Sequence, residues 1–482
     1  MRKLYNLFIL TGVALLLSLT LAGCSNNSKT PAQKTFEVKL NDRQQLIRFI
    51  GSDMERSADH MQMAKSPMQI AELTFGDVNF SICRVSFDKE QEMVEGVKNM
   101  AFYDKPIQSM KDIRKVNPHI EFWGTLKSDY DGYGDDSNLP DWICSYPIDA
   151  TPHFFHVDKY ARFLADYLEL MENEGVGLAY IAVSKEWSSY ITADLTIDIV
   201  KSLTAECEAR GIKTPKFTDP AAWSITQGID FVNAIKERDE LSLFYCLTTH
   251  SYDRNETKTF KDFVDTVNSC NSDCFPFQDE TSSGAGSRMN EENPNLELPN
   301  LSQLINSYWK KAEMYRDGMA GELIFEPFSR GVDPERRSIH FRVGEEPAFM
   351  RAYFCMKEFV NSIAPKNDRE NLEYEGGVNP ESKYYVTTDN CQSLNDVEVM
   401  SFANDKEVAI CLINKADTVL KDVVFAIDGA SELKGAKGRL FHQDIAIEGA
   451  ELPNIDTQEN YVLLGDVLAE SIVFFTVKLQ NN

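Results

Sequence analysis

Hydrophobic and polar positions follow two regimes along this chain. From residue 46 to 365, short apolar runs alternate with long amphipathic ones. The runs "LIRFIG", "FSICRVSF", "HIEFWGTLK", "GLAYIAVS", "PKFTD", "LFYCLTTH", "CFPFQDE" and "GELIFEP" read as buried strands. Between them, "VDKYARFLADYLELMENEG" places Tyr160, Phe163, Leu164, Tyr167, Leu168 and Met171 on one stripe at helical spacing. Gly175 is a suitable stop for that helix. "TADLTIDIVKSLTAECEARG" repeats the design up to Gly211, and "LSQLINSYWKKAEMYRDG" repeats it up to Gly318. "EEPAFMRAYFCMKEFVNSI" closes the series. Strands that alternate with helices are parallel and joined by crossovers. Eight such repeats predict an α/β fold, a (β/α)8 TIM barrel with loop insertions. An open doubly wound sheet is the alternative, but no Gly-rich phosphate loop follows the first strand.

After residue 366 the period changes to two. "VEVMSFANDKEVAICLINKADTVLKDVVFAID" alternates apolar and polar residues, with turns at "ANDK" and "NKAD", and "ESIVFFTVKL" closes the chain as a strand. This predicts a C-terminal antiparallel β-sandwich. "KTFEVKL" near residue 37 has the same alternation and is expected to join that sheet.

The first residues stand apart from the fold. Arg2 and Lys3 precede "LFILTGVALLLSLTLAG", and "LAGC" ends at Cys24. This pattern reads as a secretory signal. Its ending resembles the lipobox of bacterial lipoproteins, which implies cleavage before Cys24 and lipidation of its thiol. The expected organisation is a signal peptide (1–23), a tether (24–35), an N-terminal strand (36–45), the barrel (46–365) and the β-sandwich (366–482). The expected location is a bacterial membrane, lipid-anchored and exported, on the periplasmic face or cell surface.

The formal charge of −26 argues against nucleic acid or anionic lipid as a ligand and suits a neutral substrate. Of the ten cysteines, Cys270 and Cys274 in "CNSDC" are spaced for a small disulfide. No histidine or cysteine cluster has zinc spacing, so neither metal nor cofactor is expected.

In such barrels the active site lies at the C-terminal strand ends. There the sequence puts Asp53, Arg84, Lys127, Glu186, Asp219, His250 with Tyr252, Glu280 and Glu326. Glu186 ends strand four and Glu280 ends strand seven, roughly across the barrel. Paired carboxylates are what glycosidic cleavage requires: one protonates the leaving oxygen, the other attacks the sugar or activates water. Trp123, Tyr130, Tyr133, Trp187, Trp223 and Tyr252 lie near strand ends, where aromatic rings can stack on sugars. Trp123 and Trp223 can also be read as core, and Glu280 as an outward loop residue. "DYDGYGDD" after strand three reads as a polar lid loop.

At these residues the chain resembles glycoside hydrolase family 30, over most of its length. "IRFIGSDMERSA", "ICRVSFD", "YARFLADYLELMENEGVGLAYIAVSKEW", "LTTHSYD" and "FQDETSSG" occur in the family's order. The resemblance implies a retaining glycosidase acting on a β-linked glycan, with Glu280 as nucleophile and Glu186 as acid/base. It implies substrate-side roles for Arg84, His250 and Tyr252, and Trp123, Lys127, Lys185, Trp187 and Glu326 are further candidates for substrate contact. The family's Asn-Glu-Pro is here Lys185-Glu186-Trp187. An ammonium beside Glu186 is expected to lower its pKa, whereas a general acid needs it raised. Two readings follow: a glycoside hydrolase, or a non-catalytic glycan-binding lipoprotein on the same barrel.

Overall fold

The computed structural model describes residues 34–127, 139–145, 154–186, 191–238, 240–270, 273–282, 301–329, 338–363, 384–389, 395–452 and 455–480. The eight apolar runs form one parallel sheet: Phe49–Asp53, Ile82–Phe87, Glu121–Leu126, Leu178–Ala182, Lys216–Phe217, Cys246–Thr248, Phe275–Ser282 and Gly321–Phe325. Strands run five-four-three-two-one-eight-seven-six around the sheet. Parallel bridges Phe217–Phe244 and Ala222–Thr249 join its two edges, closing the barrel. After the second strand onward, the crossovers are the helices Asp104–Val116, Val157–Asn173, Ala193–Arg210, Ile225–Glu237, Phe260–Asn268 and Leu301–Arg316, and Arg351–Ile363 follows the last strand.

Aromatic rings fill the barrel. Phe49, Trp123, Tyr180, Phe275, Phe277 and Leu323 are buried together inside it. Room for them is made by thin walls. A Cβ on Gly51 would lie 2.4 Å from Leu323 and 2.8 Å from Ile82, so that wall position accepts only glycine. Outside, the stripe Tyr160, Phe163, Leu164, Tyr167, Leu168 and Met171 is wholly buried against the sheet. Gly211 ends its helix in the left-handed conformation (φ 68°), as a glycine cap does.

The C-terminal strands form a ten-stranded sheet that takes in the strand Lys34–Leu46. That strand runs parallel to Leu420–Asp428 and antiparallel to Tyr385–Asp389, so it lies in the sheet's interior rather than at its edge. Phe425 and Phe475 sit five strand positions apart in the sheet order, roughly 24 Å if the sheet were flat. Their rings are 5.1 Å apart. The sheet therefore folds over itself as a sandwich, closing on Phe36, Val38, Phe425 and Phe475. Tyr308 and Tyr315 on the helix Leu301–Arg316 pack edge-on against Phe474 (5.4 Å) and Phe402 (5.2 Å), docking barrel on sandwich.

The spacing of Cys270 and Cys274 is not used for a disulfide. Both thiols are free, and Cys274 Sγ instead donates to the Phe244 carbonyl at 2.9 Å.

Candidate active site

Glu186 stands four residues beyond strand four, and a buried carboxylate places it there. Asp219 Oδ1 accepts the backbone N–H groups of Val183 and Ser184, each at 3.0 Å, and the Ser184 hydroxyl at 2.9 Å. The Glu186 N–H donates to the Ala221 carbonyl at 2.8 Å. Glu186 itself takes a left-handed backbone conformation, φ 51°, uncommon for a residue with a Cβ. Strands four and five thus hold this turn against a local preference. Burial pushes the Asp219 carboxyl up to about 7 despite the hydrogen bonds from Ser184 and Val183.

Glu280 closes strand seven with both oxygens engaged. Oε2 receives Arg84 Nη2 at 3.0 Å and Lys185 Nζ at 3.1 Å. Oε1 accepts the Tyr252 hydroxyl at 3.1 Å. Arg84 has no exposed surface. It also faces Asp53 (3.6 Å) and Asp279 (3.4 Å) and donates to the Asp279 carbonyl. Lys185 makes a second, very close contact with Glu55. His250 lies between Glu186, 3.4 Å from Nδ1, and Asp279, 3.3 Å from Nε2.

These neighbours set the charges. Burial alone would push the Glu280 carboxyl up, but Lys185, with His250 and Arg84, holds it well below the usual range. Burial likewise opposes the Glu55 anion, and Lys185 and Arg56 overcome it, so its pKa is lowered. Burial would discharge His250, yet Glu280 and Asp279 raise it to about 9. Asp53, where burial dominates over Arg84, is raised to about 7. Glu280 is thus an anion beside the Lys185, Arg84 and His250 cations at neutral pH.

A carboxylate oxygen of Glu186, a ring nitrogen of His250 and a carboxylate oxygen of Glu280 lie within 4.8 Å of one another. The side chains of Glu186 and Glu280 keep 11% and 7% of their surface exposed; those of Lys185 and Arg84 keep 1% and 0%. Glu186 is thus the more exposed of the two glutamates, and the cations behind Glu280 are closed off.

Several sequence-predicted residues sit elsewhere. Trp123 is a correction: it is fully buried inside the barrel, between Tyr180 (5.5 Å) and Phe277 (5.7 Å), and offers no open face to a sugar. Arg84 and Lys185 are both buried and paired with carboxylates, Arg84 with Asp53, Asp279 and Glu280, and Lys185 with Glu55 and Glu280. The Lys185 ammonium pairs with Glu55 and Glu280 rather than with its chain neighbour Glu186. Lys127 is half-buried and pairs with Asp88 at 3.1 Å. Glu326 is buried just past strand eight. Trp223 is half-buried, and its carbonyl accepts the Tyr252 N–H at 3.2 Å. Trp187, Tyr130, Tyr133, the loop "DYDGYGDD" and Cys24 lie outside the described residues.

Glu55 and Asp279 were not singled out from the sequence. Asp279 directly precedes Glu280, and Glu55 follows Asp53 by two residues, the spacing that keeps a side chain on one face. That periodicity was the available signal for Glu55.

No protein-family model matches the chain, and no curated protein matches it in sequence. Solved structures do match in fold. The catalytic domain of GH30 xylanase C from Talaromyces cellulolyticus superposes with a TM-score of 0.66 at 12% identity, covering 93% of this chain and 100% of that one. A GH30 endoxylanase from Clostridium papyrosolvens gives 0.66 at 13% identity, covering 92% and 100%. A conserved exported protein from Bacteroides fragilis gives 0.65 at 14% identity, covering 92% and 100%. The chain has a GH30-like glycosidase fold: a TIM barrel with an attached β-sandwich that includes the N-terminal strand.

Proposed function

We propose that this protein is a retaining glycoside hydrolase acting on a β-linked glycan, with Glu280 as nucleophile and Glu186 as general acid/base. One observation carries the reading: oxygens of the two glutamates come within 4.8 Å at the open end of the barrel. Retaining enzymes hold their carboxyls close together, about 5–5.5 Å apart, and the nearness of these two oxygens suits that arrangement. In the first step the Glu280 carboxylate attacks the anomeric carbon while Glu186 protonates the departing glycosidic oxygen. In the second step Glu186 takes a proton from water, which displaces Glu280. His250 orients Glu186, and Tyr252 orients the Glu280 oxygen that the two buried cations leave open. The strongly acidic chain favours a neutral glycan.

A second reading is favoured by one specific contact. Lys185 and Arg84 on a single Glu280 oxygen weaken it as a nucleophile, which suits a glycan-binding protein without turnover. Purified protein assayed on xylan, β-1,6-glucan and a panel of 2,4-dinitrophenyl β-glycosides separates the two. Turnover with a retained anomeric configuration, lost in Glu280→Gln, supports the hydrolase. Saturable glycan binding with no turnover supports the binder. We also infer export and lipid anchoring at Cys24, supported by the leader pattern; unchanged membrane partition of Cys24→Ala would refute the anchor.

A further inference from the structure

We propose that Glu55 is a positioning residue that supplies the reserve counter-charge for Lys185 when Glu280 becomes esterified to the sugar. The inference rests on the hydrolase reading.

In the resting site, Glu280 Oε2 is shared by two buried cations, Arg84 at 3.0 Å and Lys185 at 3.1 Å. During glycosylation the Glu280 oxygen forms a bond to the anomeric carbon. The glycosidic C–O bond breaks, and the leaving oxygen takes the proton of Glu186. Glu280 then becomes a neutral ester and Glu186 an anion. The negative charge has moved away from the oxygen that both cations held.

Arg84 has other partners for that moment, Asp53 at 3.6 Å and Asp279 at 3.4 Å. Lys185 forms ion pairs with two carboxylates among the described residues, Glu280 and Glu55. With Glu280 esterified, Glu55 is the partner that remains. A buried ammonium without a counter-ion is strongly disfavoured. Glu55 is itself fully buried and already in contact with Nζ, so no rearrangement is needed. Oxygens of Asp53, Glu55 and Glu280 lie within 4.8 Å of one another. The three carboxylates therefore form one cluster around Arg84 and Lys185, and Glu55 is the member left in contact with Lys185 when Glu280 is esterified. A neutral side chain at position 185 would need no such partner; Glu55 and Lys185 make sense as a pair.

The test is a double-mutant cycle on the aryl β-glycoside that the wild-type protein turns over fastest, with pH profiles and with the covalent intermediate trapped by the matching 2-deoxy-2-fluoro glycoside. Glu55→Gln is expected to lower kcat roughly 100-fold, the scale of breaking a buried pair, and to reduce trapped ester at equal exposure. Lys185→Asn added to it is expected to recover at least about tenfold of that loss, because no cation is left to balance. A merely structural role for Glu55 predicts no such recovery. Thermal melts accompany each variant; if Glu55→Gln does not fold, Glu55→Asp, which keeps the charge, must retain most of the turnover. Unchanged kcat in a folded Glu55→Gln, or strictly multiplicative effects in the cycle, overturns the proposal. Wild-type protein inert on every glycoside overturns the hydrolase reading and this inference with it.

Discussion

Lys185 Nζ and Arg84 Nη2 converge on the same oxygen of Glu280, at 3.1 and 3.0 Å, while Tyr252 holds the other oxygen. The lysine that seemed in sequence to threaten Glu186 acts on the opposite carboxylate. Its effect is to make Glu280 a firmly ionised group, suited to attack by charge but restrained by its partners.

That restraint is measurable. In Lys185→Met the loss of a close cation raises the Glu280 pKa. Where ionisation of Glu280 sets the acid limb of kcat/KM, that limb is expected to move to higher pH in the variant. A profile identical to wild type would show that Lys185 does not govern Glu280.

Glu186→Gln and Glu280→Gln keep size and most hydrogen-bond capacity while removing the chemistry. Loss of the acid/base is expected to cost about 10²–10⁴ in kcat on poor leaving groups and far less on dinitrophenyl glycosides. Loss of the nucleophile is expected to remove turnover for both classes. Comparing kcat across leaving groups for the two variants checks the assignment of roles.

Asp219 gives a pH-dependent stability. Its folded pKa of about 7, raised by burial from 3.8, means that the native state binds the proton more tightly than the unfolded chain. The stabilisation is complete below the unfolded value and is lost as pH rises through about 7. Thermal unfolding from about pH 5 to about pH 8 should show a falling Tm in the wild type. Asp219→Asn, which keeps the Oδ1 acceptor for Val183 and Ser184, should flatten that fall.

His250 contributes the same sign over a more alkaline window. Burial disfavours its charge, but Glu280 and Asp279 raise its pKa from 6.5 to about 9. Its stabilising contribution is present below pH 6.5 and is lost as pH rises through about 9. His250→Asn is expected to be less stable than wild type at neutral pH, with the difference narrowing above pH 9 in denaturant titrations.

Trp123 tests the correction from site to core. Truncation to Ala removes the ring packed between Tyr180 and Phe277. The expected loss is about 3–5 kcal/mol of stability, the usual cost for a buried large aromatic. Urea unfolding checks it; near-normal stability with weakened glycan binding would return Trp123 to the substrate side.

The barrel was legible because its signals are local. Each strand candidate is a short apolar run, and each helix stripe, such as Tyr160 to Met171, repeats within one segment. The positions of Glu186 and Glu280 follow directly once strand ends are counted. The partners of those residues were not legible in the same way. Glu55 reaches Lys185 across 130 residues, and Arg84 reaches Glu280 across 196, through barrel closure that no local period records. Trp123 could be read either way because an aromatic residue in a strand has the same local pattern whether it points along the interior or out at the mouth. Lys185 was the hardest case: its neighbour in sequence is Glu186, but its ion pairs are with Glu55 and Glu280, from distant parts of the chain.

The strand Lys34–Leu46 carries a consequence for how the molecule comes together. Its two partners, Tyr385–Asp389 and Leu420–Asp428, are more than three hundred residues further along the chain. During synthesis this strand must wait, unpaired, until the whole barrel has been made. The sandwich can therefore close only as a late event of high contact order, and its first strand spends that interval as exposed β surface. Barrel maturation can begin early, but registration of the ends falls last, so refolding should show a slow final phase reported by Phe36 and Phe425 and absent from probes inside the barrel.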